Sequence, residues 1–422
     1  MRRPMLCANP TGLAAVVMFV SFAFAYFLSA LVRAVVATLA PVFSTDLGLT
    51  SADLGLLAGA YFLGFASTQL PLGSALDRLG PKRVLLASLT VAVFGCVWFA
   101  LARSYAGLTA ARLLVGMGVS ACLMAPLTCF RRRFGPRAQM RAASWMLMSG
   151  STGMVASTLP VQWALPHLGW RGLFWLLAAL FALSMVVIAW VVPRDVAAEP
   201  SVHGSGRAQD GGYGAVVRHP SFIRFLPMGF FHYGGLLALQ SLWIGPWLSR
   251  VCGWTEHEAA QGLFAINMSM LLTFLGWGVV VPRLYARGWT AQMLIARGLP
   301  LSLGALVLAV ALGARATAAL WALFCIGSTL VSLALPAIGQ AFPQALAGRA
   351  LSAFNLVIFI GVFALQWMIG ASIDFLLAAG WTTEAAFQGA IAWLALCCVA
   401  AYLWFLWFDD GASVAVHTKA GA

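Results

Sequence analysis

The sequence predicts an all-α membrane protein whose twelve transmembrane helices form two related bundles of six. Three observations carry that expectation. Apolar side chains make up 62% of the chain and charged ones only 9%. Apolar runs long enough to cross a bilayer recur along its length, and one long polar gap divides them six and six. A soluble domain keeps roughly a quarter of its residues charged to cover a wet surface. A chain with a mean hydropathy of +0.91 cannot, and a lipid-facing surface has no such need.

A hydrocarbon core of about 30 Å takes about 20 apolar residues in a helix. Reading between charges places spans at 12–42, 54–76, 84–102, 108–130, 142–165, 172–192, 224–248, 259–281, 290–313, 316–341, 350–373 and 385–408. The opening Met-Arg-Arg-Pro and the apolar run after it resemble a signal peptide, but the run is long and many others follow, so it reads as a first, uncleaved span. Of the 25 Lys and Arg residues, only Arg103, Arg171, Arg250 and Arg315 fall in gaps on one side, while Arg33 and Arg112 fall inside spans. All the rest lie on the other side. Cytoplasmic loops hold the excess of cations, so both termini are expected in the cytoplasm of a multi-pass inner-membrane protein. The net charge of +13 is accounted for by this topology. Nucleic-acid binding needs positive charge gathered on one folded face and is not expected.

The longest gap, 193–221, is rich in Gly, Pro, Ser and charge, the composition of a linker. It separates an N-terminal six-helix bundle, 1–192, from a C-terminal one, 222–422. The halves echo one another. Gly73 precedes Arg78 after the second span as Gly278 precedes Arg283 after the eighth, and Gln162-Trp163 in the fifth matches Gln366-Trp367 in the eleventh. Parallel repeats of this kind hold a solute site between them near mid-membrane.

After the second span the chain reads Gly73-Ser-Ala-Leu-Asp77-Arg78-Leu-Gly80-Pro-Lys82-Arg83. This resembles the loop signature of the major facilitator superfamily, G-x-x-x-D-R-x-G-x-[KR]-[KR]. Its glycines suit close helix approach and a tight turn, and Asp77 is placed to accept a hydrogen bond from helix ends of its own bundle. Arg112-xxx-Gly116-x-Gly118 resembles the family's R-x-x-x-G-x-G motif, and Gly169-Trp170-Arg171-xx-Phe174 its GWR-x-x-F stretch. The resemblance spans essentially the whole chain and implies a secondary transporter of bacterial type. Two departures limit it. The antiporter signature wants a Gly-Pro step, but Met154 follows Gly153, and in the second half Pro282 stands where Asp77 would be matched.

A charge at mid-bilayer costs about 2.5–3.5 kcal/mol or more, so buried ionisable groups are the first candidates for function. All twelve carboxylates lie at span ends or in loops, which removes the usual proton carrier. Arg33 follows about twenty apolar residues; it is either an anion-binding group facing the centre or a side chain snorkelling to the outer interface. Arginines at a similar place bind organic anions in members of the resembled family. Arg112 reads as structural support, with proton coupling as the alternative. His232, Gln240 and Trp243 on the seventh span fall on roughly one face and form the expected C-terminal wall of the site; His232 could carry a proton or sit neutral in a helix contact. Asn267, Asn355 and Gln366 complete the candidate substrate-binding set, each able to bind solute or to join helices.

These readings converge on a monomeric carrier that moves a small solute, an organic anion by the tilt of Arg33, in uptake or symport with a co-transported proton. The competing reading is an efflux carrier for hydrophobic compounds. The eight cysteines lack metal or redox spacing, and the spans lack a clustered nucleophile and base. Enzyme chemistry, a cofactor and a metal are therefore not expected.

Overall fold

The computed structural model describes residues 12–193 and 213–408. Among them the secondary structure is helical throughout, without strands. The long helices are α1 (Leu13–Leu47), α2 (Ser51–Leu79), α3 (Pro81–Leu101), α4 (Tyr105–Arg133), α5 (Pro136–Ala156), α6 (Leu159–Val191), α7 (Pro220–Val251), α8 (Glu256–Ala286), α9 (Ala291–Arg315), α10 (Ala318–Ala341), α11 (Gln344–Ala378) and α12 (Thr383–Trp407). Ten are long and apolar enough to cross a membrane by length and composition. α2 and α5 are the other two, less apolar because each begins or ends in charged and hydroxylic residues.

Several boundaries move from the sequence reading. α1 runs on past Pro41 to Leu47. The expected fifth span, 142–165, is broken at Ser157 and Thr158, and its second part runs into α6, which bends at Gly169 with φ 61°. The break is sustainable in lipid because its freed backbone finds a partner: Thr38 Oγ1 on α1 donates to the Ser157 carbonyl at 2.8 Å. Most of the 193–221 linker lies outside the described residues, as do Arg2, Arg3, Arg194, Arg207 and Lys419. Its last part is helical at Tyr213–Val217, and α7 starts earlier than expected, at Pro220, where the His219 side chain accepts from the Ser221 amide.

The repeat is visible in the packing. α1 lies on α5, α2 on α4, and α3 on α4 and α6; six helices later, α7 lies on α11, α8 on α10, and α9 on α10 and α12. The second helix of each half opens with the same device. Thr50 caps α2 with Asp53 returning the bond, and Thr255 caps α8 with Glu258 doing the same. The Gln-Trp echo persists too, with both Trp163 and Trp367 turned outward.

The halves meet through α1 against α7, α2 against α11, and α5 and α6 against α8. Contact between α2 and α11 is close at the start of α2, where Asp374 accepts from the Ser51 and Ala52 amides at 3.0 and 2.7 Å. It continues through the stacked rings of Phe62 and Phe359 to a hydrogen bond from Asn355 to Gln69 at 2.9 Å. Beyond Gln69, the turns of α2 bearing Leu70, Pro71, Gly73, Ser74 and Asp77 are exposed. The bundle is thus shut at the Ser51 end and parted towards the Asp77 end.

Candidate functional site

Arg33 sits deep within α1, flanked by the buried Val32 and Ala34 and itself partly buried. It does not snorkel to a helix end. One guanidinium nitrogen lies 3.8 Å from the Met154 sulfur of α5, and its Nε is buried without a hydrogen-bond partner. Tyr61 of α2 and Tyr233 of α7 are within electrostatic reach of the guanidinium, and Tyr26 of α1 is within reach of Tyr233. Residues from both halves therefore surround this cation.

Arg112 is fully buried behind it. Its Nη2 donates to the Arg33 carbonyl at 3.3 Å, and its guanidinium lies 5.1 Å from the centre of the Tyr61 ring. The group joins α4 to α1 and α2, a bracing role, although Nε and Nη1 remain without partners. The glycines of its motif explain the close approach: a Cβ on Gly116 would stand 1.9 Å from the Tyr61 carbonyl oxygen, and one on Gly118 would stand 2.2 Å from the Ala92 nitrogen. Neither arginine has a carboxylate partner among the described residues. Two cations in a low-dielectric interior without counter-charge strongly favour an anion beside them.

The candidates from the C-terminal half divide into pairs instead of forming one wall. Gln240 donates to Asn267 at 2.8 Å and approaches the Met270 sulfur at 3.0 Å. Trp243 donates to the Gln366 carbonyl at 3.2 Å, and the Gln366 side chain donates to Ser241 at 2.9 Å. Asn355 belongs to the bridge with Gln69. His232 lies away from all of these, 1% exposed, with Nε2 3.4 Å from Ser328 Oγ on α10, which in turn bonds Ser302 on α9. The two side chains meet different neighbours, Gln240 on α8 and His232 on α10. Along α7, Met228–Tyr233, Leu239–Trp243 and Trp247–Val251 are π-helical.

The loop motif separates likewise. Asp77, 72% exposed, faces Arg132 of α4 at 3.8 Å, while Arg132 also donates to the Leu76 carbonyl. Lys82 donates to the Ala189 and Val192 carbonyls, capping the end of α6. Gly80 turns the chain with φ 82°. Gly73 meets nothing within 4 Å where a Cβ would stand, so close packing is not its role here. Arg78 and Arg83 are exposed. Sequence reasoning missed Tyr26, Tyr61, Tyr233, Met154, Ser241 and Asp374. Only 7 tyrosines occur in the chain, and their placement on three helices near Arg33 is the signal that could have been weighed.

The sequence profile described as Major Facilitator Superfamily matches residues 22–365. Among curated relatives, the chain is 28% identical over 243 residues to the inner membrane transport protein YajR of Escherichia coli K12, covering 56% of this chain and 49% of that one. It is 25% identical over 169 residues to the multidrug resistance protein MdtL of Escherichia coli O81 (strain ED1a), covering 40% and 43%. The match to the hexuronate transporter of Escherichia coli K12 is 26% over 311 residues, covering 66% of this chain and 67% of the relative. The chain thus spans about half the length, or less, of YajR and MdtL. Solved structures share the fold. A bacterial homologue of the lysosomal transporter Spinster, inward-facing and unoccupied, superposes with a TM-score of 0.75 at 16% identity, covering 94% of this chain and 97% of the other. The D-xylose-proton symporter does so at 0.71 and 14%, covering 93% and 98%. With its helical repeat, its arginine motif in α4 and a profile match across both halves, this chain belongs to the major facilitator superfamily of membrane transporters.

Proposed function

We propose that this transporter is a monomeric inner-membrane secondary carrier for a small organic anion, with both termini cytoplasmic. Its bundles, 1–192 and 222–422, alternate about a site beside Arg33. The observation that carries the reading is the Arg33 guanidinium: deep in α1, reached by tyrosines from α2 and α7, and without a carboxylate partner among the described residues. Fork geometry suits carboxylate and phosphate, and the hexuronate transporter among the relatives supports the same class. Given this orientation, the closed Ser51 end faces outward and the structure corresponds to an inward-facing state. In the C-terminal half, Gln240 with Asn267 and Trp243 with Gln366 stand as hydrogen-bonded pairs, and Asn355 bridges to Gln69. His232 is turned to Ser328, so a co-transported proton would travel with the solute and not on this histidine.

Uptake of glucuronate and a panel of organic acids into proteoliposomes, with and without a pH gradient, tests the reading. Wild-type uptake that survives unchanged in Arg33→Ala sinks it. The second reading, efflux of hydrophobic compounds, is favoured by the MdtL relatives and by the Met154 thioether against Arg33. It requires ethidium extrusion from cells that Arg33→Ala leaves intact.

A further inference from the structure

We propose that Asp374, near the end of α11, is the latch that holds the Ser51 end of the carrier closed, acting as a cap supplied by one half to a helix of the other. The first amides of a helix have no partner within it. In α2 they are shared between two sources. The Asp53 amide bonds to Thr50 within α2's own capping box. The Ser51 and Ala52 amides bond to the two carboxylate oxygens of Asp374 at 3.0 and 2.7 Å. A carboxylate at a helix N-terminus also meets the positive end of the helix dipole, and both bonds are broken whenever the halves part at this end.

The surroundings are built for this contact. A Cβ on Gly370 would stand 2.2 Å from the Ser51 carbonyl oxygen, and one on Gly55 would stand 2.3 Å from the Gln366 carbonyl oxygen, so the two backbones touch only because both positions are glycine. Ser51 is 2% exposed. Arg250 of α7 lies within electrostatic reach of Asp374 and donates to Ser44 of α1. The carboxylate therefore closes a chain of contacts through α1, α7, α11 and α2. At the other end of the same helix pair, Asp77 faces Arg132 of its own half.

The latch rests on the alternating-access reading but not on the identity of the solute, so it is tested without one. Asp374→Asn keeps the shape and replaces one acceptor with a donor aimed at an amide. Hydrogen–deuterium exchange on the purified full-length protein is followed in peptides from both ends of the α2–α11 pair. The expected result is about tenfold faster exchange over 48–60 and 365–378, equivalent to about 1.4 kcal/mol, with slower exchange over 63–78 and 346–356 as that end closes. A role in fold stability alone speeds exchange at both ends and overturns the proposal, as does an unchanged Ser51 end. Gly370→Ala should reproduce the opposed pattern, and Asp53→Asn, which disturbs only the cap within α2, should not. If the exchange pattern holds while no anion is taken up, the anion reading fails and the latch stands. The reverse result separates them the other way.

Discussion

The two halves hold their buried polar groups in opposite ways. Around α1 and α4 the N-terminal half keeps two guanidiniums with Nε atoms left unbonded and, among the described residues, no opposing carboxylate. Around α7 the C-terminal half arranges neutral groups as bonded pairs: Gln240 with Asn267, Gln366 with Ser241, His232 with Ser328. Gln366 Oε1 and His232 Nδ1 are left without a partner, but a neutral atom gains less from an anion than a charged donor does. An unpaired cation loses nothing by meeting an anion. On the proposed anion reading, the difference assigns affinity for the solute to the N-terminal half, with the C-terminal half contributing shape and closure.

The sharpest break in the comparison is mechanical. Gly116→Ala sets a methyl 1.9 Å from the Tyr61 carbonyl oxygen and pushes α4 off α2, taking the Arg112 brace with it. A loss of about 3 kcal/mol is expected, read as a lower midpoint in thermal unfolding and poor monodisperse yield. Next comes Arg33→Ala, for which anion uptake should fall about 30- to 100-fold, equivalent to about 2–3 kcal/mol of charged hydrogen bonding. Arg33→Lys should restore part of it, keeping charge but not the fork. Equal losses from Gln240→Ala would erase the asymmetry argued above. That substitution is expected to cost about 1 kcal/mol of stability, the scale of an interhelical polar contact in a membrane, with uptake within about threefold of wild type. His232→Ala should behave the same way and leave any dependence of uptake on the pH gradient in place. Smallest is Gly73→Ala, expected to stay within about 0.5 kcal/mol as a surface change, although Gly73 and Gly116 read alike as motif glycines.

The fold was legible because lipid imposes a coarse rule, apolar length, that composition alone obeys. Arg33 was legible for the related reason that a charge among apolar residues is costly enough to be informative. What sequence could not resolve was partners. A regular helix already sets His232 and Gln240 about 80° apart, enough for one to meet α10 and the other α8, and nothing in Met228–Val251 announces three π-helical stretches. Asp374 was read only as a carboxylate at a span end, because its partners are backbone amides of α2 far away in the chain. Gly73 was overread for the opposite reason: a motif names a residue without saying what stands beside it.

The wide turns of α7 have a consequence for how this helix tolerates change. Each holds one residue more than an ordinary turn, so the chain can lose a residue there and rewind into regular helix with its ends still in place. A deletion at the same depth in α11, wound as a continuous α-helix from Gln344 to Ala378, has no such slack. It would rotate Gln366 and Asp374 away from their partners and turn the packed edge towards the acyl chains.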